Sequence, residues 1–213
     1  DEVMKLLKAM AIAFSIYSKI PVPQFEWKEE DMEYMMCFFP WIGGVIGMFF
    51  FGWAVLCEKF AVGNVCYALI GAAIPLMISG GFHVDGYMDT MDAFHSYQSR
   101  EKKLEILKDS HIGAFAAIML ALYYMIDIAA ISEIHTQKAV SAVAAVFFLA
   151  RCFSGIAVMT LQPAKKEGLL YTFASSAQKV RVKAALYFQA ALCVAIMLLV
   201  SGLSLIHISE PTR

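Results

Sequence analysis

Long apolar runs, separated by short charged or turn-rich stretches, dominate the pattern along the chain. Five of them approach the roughly 20 apolar residues that cross a bilayer: about 37–58, 62–82, 113–132, 138–160 and 183–206. Each is bounded by charge or turn residues rather than carrying the one-sided polar stripe of a helix packed on a soluble core. The first 20 residues, DEVMKLLKAMAIAFSIYSKI, are weaker, because Lys5 and Lys8 interrupt the run. They read as an interfacial helix or a short sixth span. No small-residue cleavage site precedes SKIPVP, which argues against a cleavable signal peptide. The pattern predicts an all-α fold, a polytopic integral membrane helical bundle with five to six transmembrane helices.

Charge then orients the spans. Thirteen Lys and Arg residues fall in segments 1–36, 83–112 and 161–183, whereas the opposite side holds only Lys59 and Lys138. The positive-inside rule places the thirteen in the cytoplasm, so the expected location is the cell inner membrane, with the polar loops facing the cytoplasm. Composition agrees: 60% of the 213 residues are hydrophobic, 16% are charged, and the net charge is −1. A chain this close to neutral has no global basic field to attract nucleic acid. Cys37, Cys57, Cys66, Cys152 and Cys193 lie in or beside apolar runs without CxxC spacing, so neither a zinc site nor a disulfide framework is indicated.

The tail LSLIHISEPTR, Leu203 to Arg213, resembles a translated transposon-adapter sequence from library preparation. The expected organisation is therefore one membrane-embedded catalytic domain over 1–202, C-terminally truncated, followed by a non-native tail over 203–213.

Candidate chemistry concentrates just after the second run, in GGFHVDGYMDTMDAFHSYQSR. Asp85, Asp89 and Asp92 are spaced i, i+4, i+7, which puts them on one face of a helix. Three like charges there repel unless a cation lies between them. Carboxylates suit a hard cation such as Mg²⁺, which takes one or two protein carboxylates together with phosphate oxygens and water. His83 lies beside them, and Gly80, Gly81 and Gly86 permit sharp turns or close approach. A second cluster, Lys108, Asp109, Ser110 and His111, precedes Gly113 and the third run. Amides at that helix start are expected to hold an anion, with Lys108 adding charge and Asp109 sharing the metal.

FSIYSKIPVP, FFPWIGGVIG, GGFHVDGYMDTMDAF, KDSHIGAFA and QPAKKEGLLYTF occur in an order that resembles the adenosylcobinamide-GDP ribazoletransferase (cobalamin synthase) family. The resemblance runs from about residue 12 to about 176. Lys19 and His111 stand where many members have Arg, and AKKEG replaces an Arg-containing version. The resemblance implies attack of an α-ribazole hydroxyl, or that of its 5′-phosphate, on the corrinoid-side phosphorus of adenosylcobinamide-GDP, releasing GMP. The site read from the residues is compatible with that reaction: Mg²⁺ as cofactor, with His83, Asp85, Asp89 and Asp92 as the centre and Asp109 as a further metal ligand. Lys108, His111, Arg151 and Lys165 would bind substrate. Either His83 or one aspartate serves as base. Partners expected on this reading are the two substrates and the lipid bilayer, and it accommodates homo-oligomers or contacts with other corrinoid-pathway enzymes.

Arg151 lies about 13 Å inside the fourth run at 1.5 Å per residue. An arginine at that depth is expected to face protein, water or a ligand, here a phosphate. GGVIG at 43–47 predicts close helix packing. Two rival functions remain at this stage. A CDP-alcohol phosphotransferase also uses membrane-edge aspartates, but its DxxDGxxAR arrangement is absent. A cation-coupled transporter would use Asp127 and Arg151 near the midplane, whereas the densest carboxylate cluster lies at the membrane edge.

Overall fold

A computed structural model of the chain describes residues 2–23, 26–109, 111–162, 171, 175, 177 and 179–205. Among the described residues the regular structure is helical, with no strand. The α-helices are α1 (Glu2–Tyr17), α2 (Met35–Lys59), α3 (Asn64–Ser79), α4 (Phe82–His95), α5 (Arg100–Ile106), α6 (Ala114–Ile131), α7 (Gln137–Thr160) and α8 (Lys179–Leu205), with a 3₁₀ turn at Glu29–Met32. The five predicted spans coincide with α2, α3, α6, α7 and α8. Of these, α2, α6, α7 and α8 are each long and apolar enough to cross a membrane. Their exposed residues include Met48, Phe49, Met125, Ile126, Leu198 and Leu199, a surface suited to lipid. The chain is a multi-pass membrane protein.

The helices fall into two compact units. The first comprises residues 1–52 and 135–213 and holds α1, the 3₁₀ turn, α2 up to Gly52, α7 and α8. Here GGVIG does pack helices closely. A Cβ on Gly43 would collide with the Phe147 carbonyl oxygen and lie 2.6 Å from Arg151 Cδ. On Gly47 it would collide with the Ala144 carbonyl oxygen. One helical turn separates the two glycines, so α2 presents a backbone groove that α7 enters. Gly43→Val is therefore expected to destabilise the protein by at least the ~1–3 kcal/mol typical of overpacking, read as a lower melting temperature in detergent.

The same unit contains a buried carboxylate that the sequence pattern does not reveal. Asp31, only 7% exposed, accepts hydrogen bonds from the Lys28 amide at 3.1 Å and from Lys8 Nζ at 3.1 and 3.3 Å. It ties α1 to the 3₁₀ turn. The Lys28 amide above all, with Lys8 adding hydrogen-bond and charge contributions, holds the Asp31 carboxyl below the usual aspartate value against the opposing effect of burial. A depressed folded-state pKa contributes stability that is present above the unfolded value of about 3.9 and is lost as pH falls through the folded one. Asp31→Asn should lower the melting temperature at neutral pH, and the gap from wild type should close below about pH 4. A gap independent of pH would contradict this role.

The second unit, residues 53–134, carries α3, α4, α5 and α6. Consecutive left-handed glycines end α3: Gly80 has φ 69° and Gly81 φ 87°. Glycine reaches that region without the Cβ penalty of other residues. The chain turns by 98° between α3 and α4, which carries the aspartate helix away from the axis of the apolar α3. Tyr87 Oη donates to the Met119 carbonyl at 3.3 Å, and the Tyr87 and Tyr123 rings lie 5.6 Å apart, seating α4 on α6. At the far end of the unit, Tyr67 Oη donates to the Ile134 carbonyl at 2.8 Å and Asn64 Nδ2 to the Ser132 carbonyl at 3.1 Å. These bonds fasten α3 to the end of α6.

Candidate functional site

The helical period of α4 places Asp85, Asp89 and Asp92 along one side, as their spacing predicts. Their surroundings differ. Asp92 reaches across to the start of α6, where Oδ2 accepts from the Gly113 amide at 2.7 Å and Oδ1 from the Ala116 amide at 2.8 Å. Gly113 is the N-cap of α6 and has no side chain to satisfy those donors. In a capping box, the first residue's side chain binds the third helical amide and a glutamate returns to the first residue's own amide. The single carboxylate of Asp92 makes both bonds from another helix. Such charge-assisted bonds at a positive helix end are each worth about 1.5–3 kcal/mol.

This corrects one expectation. Two of the amides at the start of the third span, those of Gly113 and Ala116, are held by Asp92, so these two are not left over for a phosphate. It also explains Gly113. A Cβ there would stand 2.5–2.7 Å from the Asp92 carboxylate atoms. The structural role of Gly113 was missed in the sequence, although a signal was present: a span that begins IGAFA has no cap of its own and needs an acceptor from elsewhere.

Asp89 lies one turn earlier on α4. Burial first, then the neighbouring charges of Asp85 and Asp92, push its carboxyl above the usual aspartate range. Among the described residues, neither Asp89 nor Asp85 has a salt bridge or a side-chain hydrogen bond. Across from α4, Asp109 and His111 form a pair, with His111 Nδ1 2.6 Å from Asp109 Oδ1 and the His111 amide donating to the same oxygen at 3.0 Å. The His111 side chain, then its amide, holds the Asp109 carboxyl below the usual range. Asp89, Asp92, Asp109 and His111 all line one pocket of about 360 Å³, whose other walls include Ser96, Ile106 and Phe115.

The remaining sequence-predicted residues are placed differently. Asp85 and His83 are exposed on the first turn of α4, with the His83 ring edge-on to Phe82 at 5.7 Å. Lys108 is exposed beside Asp109. Arg151 belongs to the first unit, where Nη1 donates to the Phe147 carbonyl at 3.0 Å and Cδ lies over Gly43. Lys165 and Ser110 lie outside the described residues, as does most of the expected tail. Among the described residues, no three His, Cys, Asp or Glu side chains are grouped closely enough to hold a metal ion.

The family model for cobalamin-5-phosphate synthase matches residues 9–209, nearly the whole chain. The chain belongs to the cobalamin-5-phosphate synthase family. Relatives named adenosylcobinamide-GDP ribazoletransferase include one from Lachnoclostridium phytofermentans, 45% identical over 198 residues. That alignment covers 93% of this chain and 76% of the relative. One from Clostridium perfringens strain SM101 is 34% identical over 124 residues, covering 58% of this chain and 49% of the relative. One from Fusobacterium nucleatum is 30% identical over 150 residues, covering 66% and 52% respectively. No solved structure matches the chain. Within this cobalamin-5-phosphate synthase family member, the region matched by the family model contains α4, the Asp109–Gly113 segment and the start of α6.

Proposed function

We propose that the chain performs the reaction named by its relatives. A ribose hydroxyl of α-ribazole, or of its 5′-phosphate, attacks the corrinoid-side phosphorus of adenosylcobinamide-GDP. One P–O bond forms, the bond to the GMP oxygen breaks, and the hydroxyl proton passes to a base. The observation that carries the reading is the family match across residues 9–209. The carboxylate pocket of the second unit supports a location for the chemistry.

Phosphoryl-group transfer depends on neutralising a diphosphate and holding the nucleophile in line. The donor set fits Mg²⁺: Asp85 and Asp89 offer hard oxygens, ionised Asp89 is disfavoured first by burial and then by its acidic neighbours, and no protein cation pairs with either among the described residues. Two carboxylates are enough for an ion that fills its shell with water and substrate phosphate oxygens, so a preformed cluster of three side chains is not required. Asp85 and Asp89 would hold the ion, which when bound supplies charge neutralisation on the diphosphate. Asp109 orients His111 at the opposite wall, where the imidazole can donate to a phosphate oxygen or accept the nucleophile's proton. His83 is the alternative base. The positive-inside pattern supports an inner-membrane protein with this pocket on the cytoplasmic side, where a guanosine nucleotide is accessible.

The test is direct. Purified protein in liposomes, given Mg²⁺ and both substrates, should release GMP together with a joined corrinoid product. Omitting either α-ribazole or Mg²⁺ should stop the release. Corrinoid joining that proceeds equally well in EDTA would remove the metal from this account.

A further inference from the structure

We propose that Asp92 is a positioning residue, paired with Gly113 in a latch that fixes the α4 carboxylates against the Asp109–Gly113 segment, and that it is not a ligand of substrate or metal. The inference rests on the proposed function above and gives the acidic residues of that site different tasks.

Three observations carry it. Both Asp92 oxygens are engaged by α6 amides at 2.7 and 2.8 Å. Moving that carboxylate onto an ion would leave two N–H groups at a capless helix start without their acceptor. The fit at Gly113 is tight, because even one methyl group there would meet the carboxylate at 2.5–2.7 Å. Asp89, one turn away on the same pocket wall, has no such bonds among the described residues. The latch also sets the far wall. Asp109 and His111 lie four and two residues before Gly113 and line the same pocket. A shift of Gly113 relative to Asp92 would therefore displace both sides of the pocket together.

The experiment compares Asp89→Asn, Asp92→Asn, Gly113→Ala and the Asp92→Asn/Gly113→Ala double variant in the full chain. GMP release per folded molecule is measured across a Mg²⁺ titration, and amide exchange is followed for the peptide spanning 112–117. Asp92→Asn keeps one acceptor oxygen but turns an amide NH₂ toward the other N–H. Gly113→Ala keeps Asp92 and displaces it. Each should lower kcat on the order of 10- to 100-fold, since small misplacements near reacting groups have effects of that size. Mg²⁺ half-saturation should stay near wild type in both. The double variant should be no worse than the weaker single, because both remove one latch. Asp89→Asn should instead raise the Mg²⁺ requirement by about tenfold or more.

Faster exchange at Gly113 and Ala116 in Asp92→Asn is expected whether or not any turnover is detected. A Mg²⁺ shift in Asp92→Asn as large as in Asp89→Asn would overturn the proposal. So would a wild-type rate in Gly113→Ala, unchanged exchange, or a loss of melting temperature with kcat per folded molecule intact. Wild-type protein that releases no GMP would instead contradict the function, and the exchange data would still decide the latch.

Discussion

Asp89→Asn is expected to reduce turnover by at least ~100-fold, the scale seen when a charge-stabilising group is removed from an active site, while leaving folding intact or improved. The two halves of this expectation have one cause. Asp89 is half-buried on α4 between Asp85 and Asp92. Burial and those like charges raise its pKa, so its ionised form opposes folding when no cation is present. Asparagine has nearly the same shape and no charge. It relieves the repulsion but removes the site's attraction for a cation, and with the cation its hold on a diphosphate. The melting temperature without Mg²⁺ should therefore match or exceed wild type, as expected where a strained functional residue is neutralised. Circular-dichroism melts and GMP release on one preparation check both halves. Full activity would contradict the metal-holding role of Asp89, and a clear loss of stability would show that it is structural.

The second large effect is all-or-none. Gln98 follows α4 and Glu133 follows α6, so the 18-residue apolar α6 lies between them. With thirteen Lys and Arg on one set of segments against two on the other, the positive-inside rule puts Gln98 in the cytoplasm and Glu133 outside. In a background without native cysteines, a cysteine at 133 should react with an impermeant thiol reagent in intact cells, whereas one at 98 should react only after lysis. The reverse pattern would put the carboxylate pocket on the wrong side for a guanosine nucleotide.

Four spans were legible because length and hydrophobicity alone set them: α2, α6, α7 and α8 match their apolar runs within a few residues at most ends, whereas α3 counts as a span only when joined to the bent α4. The aspartate face of α4 was legible because a side-chain period of 3.6 is local. So was the glycine contact, since Gly43 and Gly47 are one turn apart and small enough for close approach. What the sequence did not disclose depends on partners distant along the chain. Asp92 and Gly113 are 21 residues apart, and no periodic pattern pairs them. Asp31 meets Lys8 over 23 residues, so an acidic residue in an EED run gave no sign of being a buried tie. Depth alone places Arg151 in a span but names no neighbour; the Phe147 carbonyl that Nη1 meets and the Gly43 backbone under Cδ emerge only from the packing of α7 on α2. The bend after α3 was half visible: Gly80 and Gly81 announced a turn, but its 98° angle follows from two left-handed residues in succession.

α-Ribazole carrying ¹⁸O in its attacking ribose hydroxyl, incubated with the protein, Mg²⁺ and adenosylcobinamide-GDP, distinguishes the outcomes by mass spectrometry. The expected result is ¹⁸O in the joined corrinoid product, in the new P–O bond, with unlabelled GMP released in equal amount. Label in a ribazole–guanosine phosphodiester with the corrinoid phosphate released, or release of GDP in place of GMP, would contradict attack at the corrinoid-side phosphorus.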